Sequence, residues 1–293
     1  MWADKTKHMA SSELILNPDG SVYHLGLLPN EIGHTILTVG NPDRVPKISK
    51  HFETLEVQKH IRELCTHTGT FKGQRITVIS TGMGTDNIDI VLTELDALVN
   101  VDLKTLKPKK KLTSLRIIRL GTSGAAQPDI PLGSFLLSKK AVGFDNLLHF
   151  YSCDAHLDIP FALALQEQLG LNEHLNTPYV VSANKQLIDR FSTVGFVKGI
   201  TATHSGFYGP QGRRIRIATQ YPDWNERLES FDYLGQKISN LEMETAGIYG
   251  LSAIMGHQAL SVNAIIANRT LGTFSDHPER VIDSMIRKVL NLL

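Results

Sequence analysis

With 293 residues, 42% of them hydrophobic, the chain can bury a large core, and its length suits one large α/β domain at least as well as two small ones. Its 30 Lys and Arg stand against 29 Asp and Glu, which excludes a bulk field able to hold nucleic acid or an anionic membrane, so any positive charge that matters is local. Cys65 and Cys153 lie far apart without metal-ligand spacing, which speaks against a disulfide framework or a zinc site and fits a reducing cytoplasm, and no run approaches the roughly 20 apolar residues of a membrane span.

Met1 to Ser12 is polar and lacks the apolar centre of a signal peptide, so residues 1–20 are expected to be a flexible lead-in to one domain over residues 21–293. Several apolar, β-branched runs then end in Gly-containing turns followed by helical patterns, the order of an α/β sheet. Thr35 to Val39 leads into Gly40-Asn41-Pro42-Asp43-Arg44. Arg75 to Ser80 leads into Thr81-Gly82-Met83-Gly84, after which Asp86 or Asn87 is expected to cap a helix running to about Val99. The basic run Lys107 to Lys111, broken by Pro108, reads as a solvated loop. Leu115 to Leu120 reads as a buried strand ending in Gly121-Thr122-Ser123-Gly124. Gly133 to Val142, Pro178 to Ser182, Val197 to Thr203 and Gln258 to Ala267 read as strands, and Phe161 to Leu169 and Asn184 to Phe191 as helices. The last helix carries an Asp276 to Glu279 capping-box spacing and one apolar stripe, Val281, Ile282, Met285, Ile286, Val289, Leu290 and Leu293, which reads as core.

Ligands of open α/β sheets bind beyond the carboxyl ends of the strands, and two of the three Gly-rich segments carry an arginine there, Arg44 and Arg119. A planar guanidinium beside free amide groups and the Thr122 hydroxyl suits an oxyanion, although taken singly Arg44 reads rather as a partner of a surface carboxylate and Arg119 as a structural ion pair. Neither a Walker A nor a Rossmann fingerprint occurs at these strand ends. Glu242-Met243-Glu244 opens a helical run to about Gly256, where carboxylates either answer the helix dipole or accept hydrogen bonds from vicinal sugar hydroxyls. Phe207-Tyr208-Gly209-Pro210-Gln211-Gly212-Arg213 sets an aromatic pair before an amide and a guanidinium. That is either a hairpin turn with an aromatic plug or a platform for a planar base whose edge the Gln amide matches.

Taken in order, these segments resemble the uridine phosphorylases of the nucleoside phosphorylase family, from Val22-Tyr23-His24-Leu25-Gly26-Leu27 to the C-terminus, with Arg62-Glu63 and Asn268-Arg269-Thr270 as further matches. The resemblance implies a single α/β domain with a mixed, barrel-like sheet flanked by helices, which cleaves uridine with inorganic phosphate to uracil and ribose 1-phosphate. It implies phosphate binding by Gly40, Arg44, Arg119 and Thr122, with Arg62 from a neighbouring chain. The ribose would be held by Met243, Glu244 and the neighbour's His24, and the uracil by Phe207, Gln211 and Arg213 supported by Arg269. Arg119, Thr122, Gln211, Arg213 and Glu244 would carry the catalysis, without redox cofactor or covalent intermediate. The assembly would be a dimer or a hexamer of dimers with shared sites.

Two departures stand out. Asn41 replaces the Asp of many bacterial members, and Asn87 stands where a serine is usual in the monovalent-cation site that bacterial members form near Glu63, Met83 and Asn87. A purine nucleoside phosphorylase or nucleosidase of the same fold usually carries Ser-Asp after the last core strand, where this chain has Asn268-Arg269. A binding protein that kept the pocket and lost turnover is the remaining alternative.

Overall fold

The structure, a computed structural model, describes residues 9–172, 175, 177–192 and 195–293; residues 1–8, on which much of the expected lead-in falls, lie outside the described residues. The backbone packs as two compact units, residues 1–118 with 255–258, and residues 119–254 with 259–293. Among the described residues no helix is long and apolar enough to cross a membrane.

The first unit holds β1 (Thr35–Val39), α1 (Arg44–Ser49), β2 (Thr54–Ile61), β3 (Leu64–Phe71), β4 (Gln74–Ser80), α2 (Thr85–Asn100), β5 (Val101–Asp102) and β6 (Lys107–Pro108). β1 and β4 pair in parallel from Thr35↔Ile76 to Val39↔Ser80, and β4, β3 and β2 follow as antiparallel neighbours. β1 is buried at every position, which is why its apolar run is legible. The β2–β3 hairpin was not expected, because β2 is largely exposed and shows no apolar face. Two local expectations are corrected here. The α2 cap is Gly84 at φ 90°, a conformation open to glycine, and neither Asp86 nor Asn87. The basic run is no plain loop: Lys107 pairs with Asp102 in a two-residue ladder. Lys109 Nζ donates to the Val99 carbonyl (2.9 Å) at the end of α2, where a cation answers the helix dipole.

The second unit takes most of β7 (Arg116–Ala125), then β8 (Phe135–Gly143), α3 (Ile159–Gln168), β9 (Tyr179–Ser182), α4 (Lys185–Phe191), β10 (Val197–Thr203), α5 (Trp224–Ser230), β11 (Ile238–Glu242), α6 (Thr245–Met255), β12 (Gln258–Asn268), β13 (Thr273–Phe274) and α7 (Pro278–Leu292). The strands run in the order β12-β8-β10-β11-β7, and β12 also pairs with β7, so the path closes on itself as a barrel. β10 is parallel to β8 and β11, while β11–β7 and β12–β8 are antiparallel. The α/β class with a mixed, barrel-like sheet flanked by helices is therefore found as expected. Phe161 and Leu165 of α3 and Trp224 and Leu228 of α5 pack with Val142, Ile200, Ala202 and Leu241 of the strands in one apolar cluster.

Inside the barrel, polar side chains from all five strands form a hydrogen-bonded belt. Asn240 Nδ2 donates to Ser123 Oγ (2.8 Å), and Thr201 Oγ1 donates to Asn240 Oδ1 (2.7 Å). The Ser138 and Thr201 hydroxyls lie 2.5 Å apart, Asn263 Nδ2 donates to Ser138 Oγ (3.2 Å), and Arg119 Nη1 donates to Asn263 Oδ1 (2.8 Å). The belt thus starts and ends on β7. Such buried groups are tolerated because each finds a partner.

Three more expectations are overturned in this unit. Gly121-Thr122-Ser123-Gly124 is not a turn after a strand, since β7 runs on to Ala125 and Gly124 pairs with Leu241. Glu242 does not open a helix; it ends β11, and α6 begins at Thr245. At the C-terminus the cap is His277 without a side-chain hydrogen bond, so the Asp276 to Glu279 spacing makes no capping box. The expected stripe of α7 is buried at Ile282, Met285, Ile286, Val289, Leu290 and Leu293.

Candidate active site

The base-side residues form one cluster in the second unit. Phe207 and Tyr208 are exposed on a loop after β10, and the following 3-10 turn Gly209–Gln211 sends the Gln211 side chain inward, leaving it 2% exposed. Gly212 ends that turn at φ 68°. Arg213 Nη1 donates to Gln211 Oε1 (2.6 Å) and to the Phe207 carbonyl (2.5 Å), and its guanidinium lies over the Phe207 ring at 3.6 Å. Arg269 follows β12 and donates from Nη2 to the Gln211 carbonyl (3.5 Å). Its side chain leaves no room for a Cβ at Gly124 without displacement. Burial, helped by Arg269, pushes the Arg213 guanidinium down to about 10, and burial also lowers Arg269; both stay charged at neutral pH. Among the described residues neither has a carboxylate within ion-pair distance.

Behind this cluster lies His204, 1% exposed, stacked on Phe144 (4.9 Å between centroids) and accepting at Nε2 from Trp224 Nε1 (3.2 Å). Its Nδ1 has no hydrogen-bond partner among the described residues. The Glu242 carbonyl accepts both the His204 N–H (2.9 Å) and Gln211 Nε2 (3.5 Å), so this histidine adjoins the expected base pocket. Nothing in the sequence around His204 marked it.

The second cluster is ionic. Arg119, on β7 and 5% exposed, reaches from Nη2 to the Glu244 carboxylate in a short ion pair and to Glu242 Oε2 at 3.3 Å. The structure therefore joins an expected phosphate ligand to an expected ribose ligand. Burial pushes the Glu242 carboxyl up and Arg119 opposes it, while the two carboxylates hold the Arg119 guanidinium above its ordinary value. Thr122 on β7 and Met243 between the two glutamates are partly buried.

In the first unit, Gly40 follows β1, and Arg44 is the first residue of α1. Asn41 Oδ1 accepts the Asp43 N–H (2.8 Å), a turn that an aspartate would make equally well. Arg62 sits at φ 56° in the two-residue turn between β2 and β3, its guanidinium 5.9 Å from the Tyr23 ring, which meets the His24 ring edge-on at 4.9 Å. The two residues expected to serve a neighbouring chain thus share one patch. Glu94 of α2 pins that patch, accepting from the His24 and Leu25 N–H groups and lying 2.6 Å from His24 Nδ1. The Glu63 and Asn87 side chains both lie against Gly82, while Met83 is 76% exposed.

A cavity of about 740 Å³ in the second unit is lined by Gln127, Asp129, Lys139, Lys198, Glu226 and Lys237 among others, and by none of the expected residues. It meets the amino-terminal end of β10, at Val197 to Ile200, whereas His204 and Glu242 stand at the carboxyl ends of β10 and β11.

The chain belongs to the phosphorylase superfamily, whose family pattern matches residues 34–292, and it is an enzyme of that family. It is 32% identical over 277 residues to a uridine phosphorylase of Thermococcus kodakarensis, covering 92% of this chain and 86% of that one. It is 28% identical over 277 residues to a DeoD-type purine nucleoside phosphorylase of Oceanobacillus iheyensis, covering 90% and 99%. Among solved structures, a nucleoside phosphorylase of Trypanosoma brucei that shows uridine phosphorylase activity superposes with a TM-score of 0.86 at 29% identity, covering 96% of this chain and 99% of that one.

Proposed function

We propose that this pentosyltransferase is a uridine phosphorylase, which converts uridine and phosphate to uracil and ribose 1-phosphate. The observation that carries the reading is the pair of guanidiniums held on buried Gln211, Arg213 on its side-chain oxygen beside Phe207 and Arg269 on its backbone carbonyl, both without a carboxylate partner among the described residues. Displacing uracil from C1′ leaves negative charge on the base, and preorganised cationic donors around its edge stabilise that charge as it grows. The carboxylic acid through which a purine site holds N7 has no counterpart at the end of β12 among the described residues, because Asn268 spends its Nδ2 on the Gln127 and Ile130 carbonyls and Arg269 follows it. The relatives carry both substrate names, so this charge pattern is what favours the pyrimidine.

On the sugar side, Glu244 accepts the ribose hydroxyls, and a phosphate held by Arg119 and Thr122 attacks C1′ from the face opposite the base, giving the α-1-phosphate. The sites are shared within dimers or hexamers of dimers, a reading supported by the Arg62–Tyr23–His24 patch. Glu63 and Asn87 each carry an oxygen of the type a monovalent cation takes, and their side chains approach Gly82 through a Glu63 methylene and the Asn87 amide nitrogen, so that site belongs to the reading.

The test is uracil release by purified protein from a nucleoside panel with and without phosphate. Uridine should be cleaved far faster than inosine or adenosine, and cleavage should stop without phosphate. Arg213→Ala should lower kcat for uridine by about 10²-fold or more. Equal inosine turnover, or an undiminished rate in phosphate-free buffer, rules the assignment out.

A further inference from the structure

We propose that Glu242, to which the family resemblance assigns no substrate contact, is a positioning residue that sets Glu244 and Arg119 in register for the reaction. The inference rests on the functional reading above, in which those two residues meet ribose and phosphate. Glu242 is 5% exposed at the last position of β11, and both of its carboxylate oxygens are occupied. Oε1 accepts from Thr203 Oγ1 (2.6 Å) and the Thr245 N–H (3.1 Å). Oε2 accepts from the Glu244 N–H (3.0 Å), the Thr245 N–H (2.9 Å) and Thr245 Oγ1 (2.8 Å), and lies 3.3 Å from Arg119 Nη2.

These contacts have a direction. A carboxylate that takes the N–H groups of Glu244 and Thr245 caps α6 from the preceding strand and fixes the backbone on which the Glu244 side chain rides. The same oxygen stands beside the nitrogen that pairs with Glu244, so it fixes the guanidinium from a second side. Thr203 extends the hold, because its Oγ1 donates to Glu242 and accepts the Ala246 N–H (2.9 Å). Arg119 is thereby clamped by Glu244, Glu242 and Asn263. A pair of reacting groups must be held this closely for their geometry to count toward rate.

Glu242→Gln is the informative change. With its amide nitrogen at the Oε1 position, the Thr203 hydroxyl can turn to accept from it, and the remaining oxygen keeps the α6 N–H groups. What is lost is the second negative charge beside Arg119. Glu242→Gln should keep its melting temperature near that of wild type and lose ~10-fold or more in kcat/KM for uridine. In a Glu244→Gln background the same change should cost little further, because a residue that acts through Glu244 has nothing left to position. Thr245→Ala should reproduce part of the loss, and Thr245→Ser, which keeps the hydroxyl on Oε2, should restore it. That pair also decides the matter should Glu242→Gln fail to fold. Unchanged kinetics in Glu242→Gln, full additivity with Glu244→Gln, or equal Thr245→Ala and Thr245→Ser activities would each overturn the proposal while phosphorolysis by wild type left the functional reading standing. Wild-type protein that cleaves no nucleoside of the panel overturns both.

Discussion

The chemistry concentrates in a few side chains whose partners are also their competitors. Phe207 is expected to stack on the base, yet one of its faces carries the Arg213 guanidinium at 3.6 Å, so a base stacked there would take the other face or displace a cation–π contact. Gln211 likewise gives its oxygen to Arg213, and its nitrogen is only loosely held by the Glu242 carbonyl at 3.5 Å, which leaves the amide free to exchange partners for a base edge. His204 has no such freedom. Burial pushes its imidazole down from 6.5 to about 3, with Arg213 adding to the shift, while Trp224 keeps Nε2 an acceptor. The unfolded chain takes up this proton near pH 6.5 and the folded chain only near 3, so the stability from the neutral buried ring is fully present above about pH 6.5 and lost as the pH falls toward 3. One proton of difference is worth ~1.4 kcal/mol per pH unit. Denaturant unfolding at pH 7.0, 5.5 and 4.5 should therefore show a steeper acid loss in wild type than in His204→Asn; equal slopes would mean that this ring is not the group being titrated.

At the scale of elements, β7 is the strand on which the site depends, and Gly121 is its narrowest point. A Cβ there would lie 1.5 Å from Arg119 Nη1 and 2.6 Å from Asn263 Oδ1, so Gly121→Ala must expel the guanidinium from its clamp. On the proposed function, in which Arg119 holds phosphate, activity should fall by more than about 10²-fold, while Gly→Ala in a strand costs little intrinsically. Circular dichroism should show a folded protein, and retained activity would mean that Arg119 has another workable position. The same strand marks the limit of what the sequence made legible. Buried, uninterrupted apolar runs such as β1 and β10 were found with their ends in place. Gly121-Thr122-Ser123-Gly124 read as a turn because its small residues answer to the Arg119 and Arg269 side chains folded against them, and Arg269 stands far along the chain, beyond β12. β11 was missed for a related reason: Ser239, Asn240 and Glu242 are buried polar groups whose partners lie on other strands, so no local pattern separates them from a surface loop. The candidate site residues were legible only as types in order along the chain. Their pairing, above all Arg119 with both glutamates, was not, since spacing along a chain says nothing about which charges meet.

For the whole molecule, the proposed sharing of sites has a test of its own. If Arg44 serves its own chain and Arg62 a neighbour, Arg44→Ala and Arg62→Ala should each be nearly inactive as homo-oligomers, because every site loses a charge-assisted contact to phosphate. In an isologous mixed dimer one site collects both substitutions and the other neither. Co-refolding the two variants should recover a substantial part of wild-type activity, whereas mixing them after separate refolding should not. Failure to recover although mixed dimers had formed would put both arginines in one chain's site. The closed barrel carries a consequence for how the protein is born. Asn240 and Asn263, the belt residues that bind Ser123 and Arg119 of β7, follow them by 117 and 144 residues. At a synthesis rate of about 5–20 residues per second, roughly 7–30 s pass between the emergence of Arg119 and that of Asn263. Throughout that interval β7 waits with an open hydrogen-bonding edge and a guanidinium whose partners have not been made, an edge that other chains can pair with until β11 and β12 arrive.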